Sequence, residues 1–311
     1  MIIVDAHCDT ITTIMETKEQ LRENKGHIDL ERLKQYDSFV QFFAAFISPA
    51  HAKMGALCRA IDIIDRLYEE IKINKNDIML CSNYNDIMTA IQTNKIAAVL
   101  TIEGGDALEE SISALRMLYK LGVRAITLTW NHRNQIADGV SDAITGGGLT
   151  PFGKDVIGEM NSLGMLVDVS HLSEAGFWDV LSTTSSPIIA SHSNAKKICN
   201  HRRNLTDSQL LALKKNGGVT GINLCPDFIS SEGSATMKHV LDHIEHIVAL
   251  TGEDTLGMGA DYDGIDETPQ GLEGVQCLKD LFNELLKLNY SETLVNKIAG
   301  ENFLRVIKNV L

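Results

Sequence analysis

The sequence lacks the features of several protein classes. No stretch approaches the ~18 consecutive apolar residues that a transmembrane helix needs. The N-terminus has no basic segment followed by a long apolar run, so we expect no signal peptide. Positive charge is scarce, with 28 lysines and arginines against 41 aspartates and glutamates and a formal net charge of −13. This deficit argues against nucleic acid and anionic membranes as partners.

Paired cysteine motifs and linkers are also missing. The six cysteines are scattered, and none forms a CxxC motif. Without an export signal, this distribution predicts reduced thiols in a cytoplasmic protein. No stretch rich in proline, serine and glycine divides the chain, and it contains no low-complexity run or internal repeat. A single domain over residues 1–311 is therefore the simplest prediction.

What the sequence does contain is a regular alternation of apolar β-type runs and helical patterns. Eight runs predict strands at 2–7, 38–47, 96–104, 125–130, 166–171, 187–193, 219–225 and 256–264. Helical patterns lie at 56–73, 173–181, 206–214, 235–251, 273–286 and 291–309. Eight strands alternating with helices predict a (β/α)8 TIM-type barrel, for which 311 residues is a comfortable length. A doubly wound open sheet is the competing architecture.

Ligand-type side chains stand at the carboxyl ends of five predicted strands. In the first, VDAHCDT, strand alternation places His7 and Asp9 on one face and Cys8 on the other. The other four strands end in Glu103, His171, His192 and Asp261. Each alone is more often a structural residue, but in a barrel all of them converge on one mouth. Three histidines, an aspartate and a glutamate able to bridge suit two divalent metals such as Zn²⁺, about 3.5–4 Å apart.

A second group of histidines resembles a metal site but has a different predicted position. HVLDHIEH places His239, His243 and His246 on one helical face. This helix precedes the last strand, so we predict that it packs outside the barrel, away from the mouth. His27, His51 and His201 are predicted to be surface or loop residues. The segment 131–148, rich in Asn, Asp and Gly, is equally consistent with a substrate loop and with a solvated connection.

Taken together, the motifs resemble the membrane dipeptidase (renal dipeptidase-like) family of metallopeptidases. VDAHCDT, TIEGGDAL, LVDVSHLS, PIIASHSNA, HRRNLTD, GADYDG and ENFLRV follow one another in the family's order over nearly the whole chain. The resemblance implies a (β/α)8 barrel with two zinc ions per chain. It also implies hydrolysis of dipeptides through a metal-bridging hydroxide, tolerance of a D-residue at the C-terminal position, and a possible homodimer.

The resemblance further implies a role for individual residues. His7, Asp9 and Glu103 resemble the ligands of one zinc ion. Glu103, His171 and His192 resemble those of the second, so that Glu103 bridges the two.

The remaining roles concern the substrate. Arg203, the second arginine of HRRN, resembles the residue that holds the substrate's terminal carboxylate, and Asp261 resembles the acid/base. Many family members carry a histidine after "LT" at the end of the fourth strand, where it stabilises the tetrahedral intermediate. Here that position holds Trp130, and we predict that His132, two residues on, takes its place in binding the substrate.

Three other functions are alternatives to a zinc dipeptidase. A metal-dependent amidohydrolase acting on non-peptide or cyclic amides shares the barrel and metals but usually has His-x-His on the first strand, where this chain has His7-x-Asp9. A phosphohydrolase requires several basic residues near the metals, and we find mainly Arg203. A catalytically inactive binding barrel is expected to lack a ligand or the acid/base, and all are present here.

Overall fold

A computed structural model describes residues 1–52 and 54–311. Its nine strands are β1 Ile3–Cys8, β2 Phe39–Phe46, β3 Ile78–Leu80, β4 Ile96–Glu103, β5 Val123–Thr127, β6 Leu166–Asp168, β7 Ile189–Ala190, β8 Val219–Ile222 and β9 Leu256–Met258. They form one parallel sheet in the order β2-β1-β9-β8-β7-β6-β5-β4-β3. An additional pairing of β2 with β4 closes eight of them into a ring. The predicted (β/α)8 barrel is confirmed, and the open sheet is wrong.

The ninth strand, β3, was not predicted. It pairs with the amino-terminal half of β4, from Ile96 to Ala98, whereas β5 pairs with the carboxyl-terminal half. β3 therefore adds to the barrel wall without entering the eight-membered ring. Three residues are too few for an apolar run to be told from a loop, because strands are usually recognised from four or more.

Several strands end earlier than predicted, and the candidate site residues lie on the loops that follow. β6, β7 and β9 have only three, two and three residues. His171 and Asp261 lie three residues beyond the ends of β6 and β9 and adopt left-handed conformations, with φ of 65° and 64°. A residue at positive φ cannot continue a strand, so the backbone turns at both positions.

The helices surround the barrel and alternate with the strands. They are α1 Thr10–Thr17, α2 Leu30–Leu33, α3 Pro49–Ala52, α4 Ala56–Ile73, α5 Tyr84–Gln92, α6 Ile112–Lys120, α7 Pro151–Leu163, α8 Glu174–Thr183, α9 Asp207–Asn216, α10 Pro226–Ile229, α11 Met237–Thr251, α12 Leu278–Lys287, α13 Glu292–Asn296 and α14 Asn302–Val310. Short 3₁₀ turns cover Gly105–Leu108, Val140–Thr145 and Val275–Cys277, and a π-helical segment, Lys297–Glu301, joins α13 to α14.

Side-chain caps begin both helices that the sequence analysis predicts and helices that it does not. α8 and α9 begin as predicted, after Ser173 and Thr206, whose side chains accept backbone N–H groups of the first turn. α5, α6 and α7 were not predicted, although Asn83, Ser111 and Thr150 cap them in the same way. Reading the caps together with the apolar spacing would have located these three helices.

Two apolar clusters hold the barrel together. The larger lies between the strands and the surrounding helices. The smaller gathers residues of β1, β2 and β4 to β8 inside the barrel, together with Phe303, Val306 and Ile307 of α14. Because α14 packs against this inner cluster at the amino-terminal ends of the strands, the opposite end remains free for a functional site. Within the described residues, no helix is both long enough and apolar enough to cross a membrane.

Candidate metal centre at the barrel mouth

Five ligand-type side chains from distant parts of the sequence meet at the carboxyl ends of the strands. His7 belongs to β1 and Glu103 is the last residue of β4, while His171 and His192 lie just after β6 and β7. Asp9 lies beyond β1, at the N-cap of α1, rather than on the strand as predicted. All five are buried. A shift in strand register between Asp5 and Cys8 accompanies the turn of His7 into the site, while Cys8 joins the outer apolar cluster.

Glu103 lies at the centre of this group. Its Oε1 is 2.9 Å from Nε2 of His171 and 3.5 Å from Nε2 of His192. Its Oε2 is 3.5 Å from Nε2 of His7, which in turn is 3.9 Å from Oδ2 of Asp9. The potential ligand atoms of Glu103, His171 and His192 lie within 4.8 Å of one another, and so do those of His7, Asp9 and Glu103. Two triads thus share one carboxylate.

The tautomers of His171 and His192 follow from their hydrogen bonds. Nδ1 of His171 lies 2.8 Å from Oδ1 of Asn131, an oxygen that only accepts, so Nδ1 carries the proton. Nδ1 of His192 lies 2.7 Å from Oγ of Ser191, whose own hydrogen is donated to Asp168 at 2.5 Å. Both Nε2 atoms therefore point lone pairs at each other across 2.9 Å. Two lone pairs and a carboxylate oxygen facing one another form a donor set for a cation.

Asp168 organises this arrangement without being a candidate ligand. Its Oδ1 accepts the backbone N–H groups of Ser170 and Ser191 at 3.0 and 2.9 Å. Its Oδ2 accepts the hydroxyls of Ser191 and Thr127 at 2.5 and 2.6 Å. Sequence analysis missed this residue, although it stands inside LVDVSH. The signal was a carboxylate within a strand buried on both faces, where an acidic side chain needs several donors.

The second triad contains polar atoms without partners. Nε2 of His7 and Oδ1 of Asp9 are buried and have no hydrogen-bond partner in the described structure. Buried polar atoms are nearly always paired, so an orphaned nitrogen and an orphaned oxygen beside each other need an explanation. Imidazole nitrogen and carboxylate oxygen are zinc ligands. The residues present therefore fit a divalent cation in both triads.

Electrostatics in the cluster favour positive charge. Burial by itself raises the pKa of Glu103, but the positive charge of His7 beside it holds that pKa well below its usual range. Burial by itself lowers the pKa of His7, yet the Glu103, Asp9 and Asp261 carboxylates raise it to about 10. The clustered carboxylates thus retain a positive charge on His7. A divalent cation held by the same atoms would supply that charge and would leave His7 as a neutral ligand.

The other two histidines are neutral. Burial, together with the nearby Arg203, lowers the pKa of His171 to about 4. Burial, followed by the charge of His7, lowers the pKa of His192 well below its usual range. Neutral imidazole is the form that binds a metal, so both rings are ready to act as ligands.

Asp261 adds a further carboxylate to the mouth. Its Oδ1 lies 3.8 Å from Nε2 of His7, and its Oδ2 accepts a hydrogen bond from Nδ2 of Asn223 at 2.8 Å. Burial raises the pKa of Asp261 to about 6. A carboxyl group with a pKa near neutrality, one oxygen anchored and the other facing the ligands, can accept and release a proton there.

Arg203 lies on the loop after β7, where its side chain is buried. Its Nη2 donates to the backbone carbonyl of His192 at 3.2 Å, and its guanidinium lies 5.4 Å from the ring centroid of Phe228. Its Nε is buried and has no hydrogen-bond partner among residues 1–52 and 54–311. Phe228 was not singled out in the sequence, because nothing in its local pattern marks it as a neighbour of a residue 25 positions away.

His132 is not brought into the ligand group. Its side chain is 66% exposed, and its Nδ1 lies 3.7 Å from Oδ2 of Asp142. The Trp130 ring centroid is 6.4 Å from that of His132 and 6.1 Å from that of His171. His132 instead lines a cavity beside the site, and its role in binding the substrate stays a prediction.

The histidines of α11 have structural contacts. His243 is buried, with Nδ1 accepting the N–H of Ala195 at 3.2 Å and Nε2 lying 3.1 Å from the carbonyl of Ile229. His246 is 2.8 Å from Asp207. α11 lies outside the barrel, as predicted, but His243 reaches the loop that carries Arg203. His27, predicted to be a surface or loop residue, is a half-buried loop residue.

Comparisons with known proteins cover nearly the full length of the chain. The family model described as "Membrane dipeptidase (Peptidase family M19)" matches residues 1–311. An uncharacterized dipeptidase of Schizosaccharomyces pombe is 38% identical, over 98% of this chain and 80% of its own length.

Two solved metallopeptidase structures share the fold of this chain over its full length. A metallopeptidase described as dipeptidase AC of family M19 superposes with a TM-score of 0.93 at 27% identity, over 100% of this chain and 98% of that chain. A metallopeptidase from Rhodobacter sphaeroides superposes with a TM-score of 0.93 at 26% identity, over 100% and 99% of the two chains. That protein was solved with a phosphinate mimic of the dipeptide L-Ala-D-Ala.

Proposed function

Because the chain belongs to the membrane dipeptidase family, peptidase family M19, and is therefore a metallopeptidase, we propose that it cleaves dipeptides with two zinc ions at the barrel mouth. The observation that carries the proposal is the pair of ligand triads sharing Glu103, with two histidine lone pairs facing each other in one triad and two buried polar atoms without partners among the described residues in the other.

The two triads define the proposed metal ligands. One zinc ion is held by His7, Asp9 and Glu103, and the other by Glu103, His171 and His192. When bound, two zinc ions would lower the pKa of water at the site so that hydroxide would be available at neutral pH, and they would polarise the carbonyl of the scissile bond. The protein contributes a buried set of ligands, in which hydrogen bonds already orient His171 and His192.

Asp261 is the proposed acid/base. The hydrogen bond from Asn223 anchors one of its oxygens and leaves the other beside His7, at the edge of the ligand group. In this role Asp261 accepts the proton of the attacking water and delivers it to the amine that leaves. Its raised pKa suits both transfers, since the group takes up and loses a proton near neutral pH.

Arg203 is the proposed clamp for the substrate's terminal carboxylate. The guanidinium is a planar, permanently charged fork that matches a carboxylate. Its buried and unpartnered Nε is consistent with a partner supplied by the substrate. Recognition of the carboxylate, rather than of the side chain beside it, permits a D-residue at the C-terminal position, as in the dipeptide mimic bound to the Rhodobacter sphaeroides relative.

A substrate-length experiment tests the proposal. We expect the purified protein to hold about two zinc ions per chain and to cleave Ala-Ala and Ala-D-Ala. A tripeptide cut at the same bond carries its carboxylate ~3.5 Å further out, beyond the clamp. Loss of a charge-assisted pair worth about 1.5–3 kcal/mol lowers kcat/KM roughly 10- to 150-fold for Ala-Ala-Ala and for Ala-Ala-amide.

The arginine variants complete the test. Arg203→Ala should abolish the difference between Ala-Ala and its amide, whereas Arg202→Ala, which removes an exposed arginine next to it, should preserve that difference. Full activity of the wild-type protein without bound metal would overturn the metal centre. Equal kcat/KM for the dipeptide, amide and tripeptide would instead favour a general amidohydrolase.

A further inference from the structure

A cavity of about 770 Å³ opens beside the ligand group and is used by none of the proposed steps. It lies between the loops that follow β2, β4 and β5, with segment 130–135 along one side. Trp130 forms its wall on the side of the ligands, because the Trp130 ring centroid is 6.1 Å from that of His171. A substrate bound at the ligands therefore borders this space.

The cavity and Arg203 lie on opposite sides of the ligands. In the closed ring the strand order is β1-β2-β4-β5-β6-β7-β8-β9, so β4 faces β8 across the barrel. Arg203 follows β7 and approaches Phe228, which follows β8. A dipeptide whose carboxylate is held by Arg203 thus extends its N-terminal residue toward the cavity.

Part of the cavity wall is apolar. The contributing residues are Ile47, Pro49, Ala52 and Trp130. Phe46 supports Trp130 from behind, with ring centroids 5.5 Å apart. This wall suits the aliphatic part of a long side chain, and the indole face attracts a cation.

The charges among the described lining residues are mainly negative. Asp106 is 9% exposed and accepts one side-chain hydrogen bond, from Nδ2 of Asn134 at 3.1 Å. Asp142 accepts the backbone N–H of Arg133 at 2.6 Å. The guanidinium of Arg133 is paired with Asp138, and Oδ2 of Asp142 lies 3.7 Å from Nδ1 of His132. Two carboxylates beside an apolar, aromatic wall form a complement to a basic side chain.

We propose that this cavity is the subsite for the N-terminal side chain of the dipeptide and that it selects arginine or lysine there. The stem packs against Ile47 and Trp130, and the cationic end meets Asp106 and Asp142. This inference rests on the proposed function, because it takes the substrate's carboxylate to be held by Arg203.

Arg-Ala and citrulline-Ala separate charge from shape, because citrulline keeps the length and planar end of arginine without its charge. For the zinc-loaded enzyme we expect kcat/KM about 10-fold or more higher for Arg-Ala than for citrulline-Ala or norleucine-Ala, and lowest for Glu-Ala. The ratio of Arg-Ala to citrulline-Ala should fall toward one in Asp106→Asn and Asp142→Asn. Asp62→Asn, which removes an exposed carboxylate on α4, should leave the ratio unchanged.

The rates with these substrates distinguish failure of the proposed subsite from failure of the proposed dipeptidase activity. Cleavage of Ala-Ala with equal kcat/KM for Arg-Ala and citrulline-Ala would overturn the subsite and leave the dipeptidase intact. A preference for norleucine-Ala would replace the basic subsite by an apolar one. If the 10-fold ratio of Arg-Ala to citrulline-Ala persists in both Asp106→Asn and Asp142→Asn, the proposed contact of these two carboxylates with the cationic side chain is wrong. No cleavage of any dipeptide, Ala-Ala included, would overturn the proposed function and the subsite with it.

Discussion

At the level of single residues, the proposed zinc ligands depend on neighbours that do not bind metal. Ser191 passes its hydrogen to Asp168 and so leaves its oxygen to accept the Nδ1 proton of His192. The amide oxygen of Asn131 likewise accepts the Nδ1 proton of His171. Outer partners of this kind select the tautomer and orient the ring, and their removal typically weakens metal binding by about 10- to 100-fold.

Ser191→Ala provides the corresponding test. Without the hydroxyl, Nδ1 of His192 loses its acceptor, and the ring is free to adopt the other tautomer or to rotate. We expect the affinity of one of the two zinc ions to fall about 10- to 100-fold while the other is retained. Titration against a coloured chelator measures this directly, without any reference to activity.

The matched control is Ser162→Ala, which removes an exposed hydroxyl that donates to the carbonyl of Gly158 on α7. It should bind both zinc ions as the wild type does. Unchanged affinity for both ions in Ser191→Ala would contradict the role assigned to the Asp168–Ser191–His192 chain.

At the level of elements, a buried histidine ties helix α11 to the loop between β7 and α9. Nδ1 of His243 accepts the N–H of Ala195, and Nε2 faces the carbonyl of Ile229 in α10. The imidazole must be neutral at Nδ1 to make the first bond. Burial accordingly lowers the pKa of His243 from 6.5 to about 4. The histidine spacing that resembled a metal site is thus a structural joint.

This joint gives the fold a dependence on pH. A base whose pKa is lower in the folded state contributes its full stability above the unfolded pKa of 6.5 and loses it as the pH falls toward about 4. The shift in the His243 pKa corresponds to at most roughly 3.5 kcal/mol of unfolding free energy. We expect the urea midpoint to fall between about pH 6.5 and pH 4, and His243→Asn, which keeps an acceptor but cannot titrate, to flatten part of that decline.

His246→Asn is the control for this measurement, since it removes a titratable ring one turn further along α11, where the partner is the partly exposed Asp207. It should retain the decline. If His243→Asn loses as much stability over the same pH range as the wild type, the joint does not set the pH dependence.

At the level of the whole molecule, barrel closure brings together charges that the sequence keeps far apart. Asp9, Glu103 and Asp261 come from the beginning, the first third and the last fifth of the chain, yet all contact His7. Three carboxylates this close repel one another unless a cation lies among them. Bound zinc is therefore expected to stabilise the folded barrel as well as to serve catalysis.

Removal of zinc by a chelator should lower Tm, and added zinc should restore it. Binding to the folded state stabilises by about 2.7 kcal/mol when free zinc is 100-fold above Kd. Because Glu103 belongs to both triads, Glu103→Gln should shrink the zinc-dependent change in Tm for both ions. Identical Tm values with and without chelator, in protein shown to contain zinc beforehand, would contradict this coupling. The predicted homodimer stays a prediction.

Much of the site was readable from the sequence because its motifs are local. A histidine, a glutamate or an aspartate directly after a buried apolar run is visible in a few residues, and the recurrence of this pattern at strand ends indicates one shared mouth. The number of ring strands follows from the same alternation. Arg203 is recognisable only through the resemblance, since an arginine in a loop carries no local signal.

Tertiary structure alone decided the remaining features. The bends at His171 and Asp261, the His192 tautomer set by Asp168 through Ser191, the position of Phe228 beside Arg203, and the cavity across the barrel all depend on contacts between segments distant in the sequence. Such contacts exist only after β2 and β4 pair and close the ring. Local pattern determines which side chain stands at each strand end, because backbone alternation is a short-range property. Which atoms of those side chains face one another is determined by closure, because only closure sets the distances across the mouth.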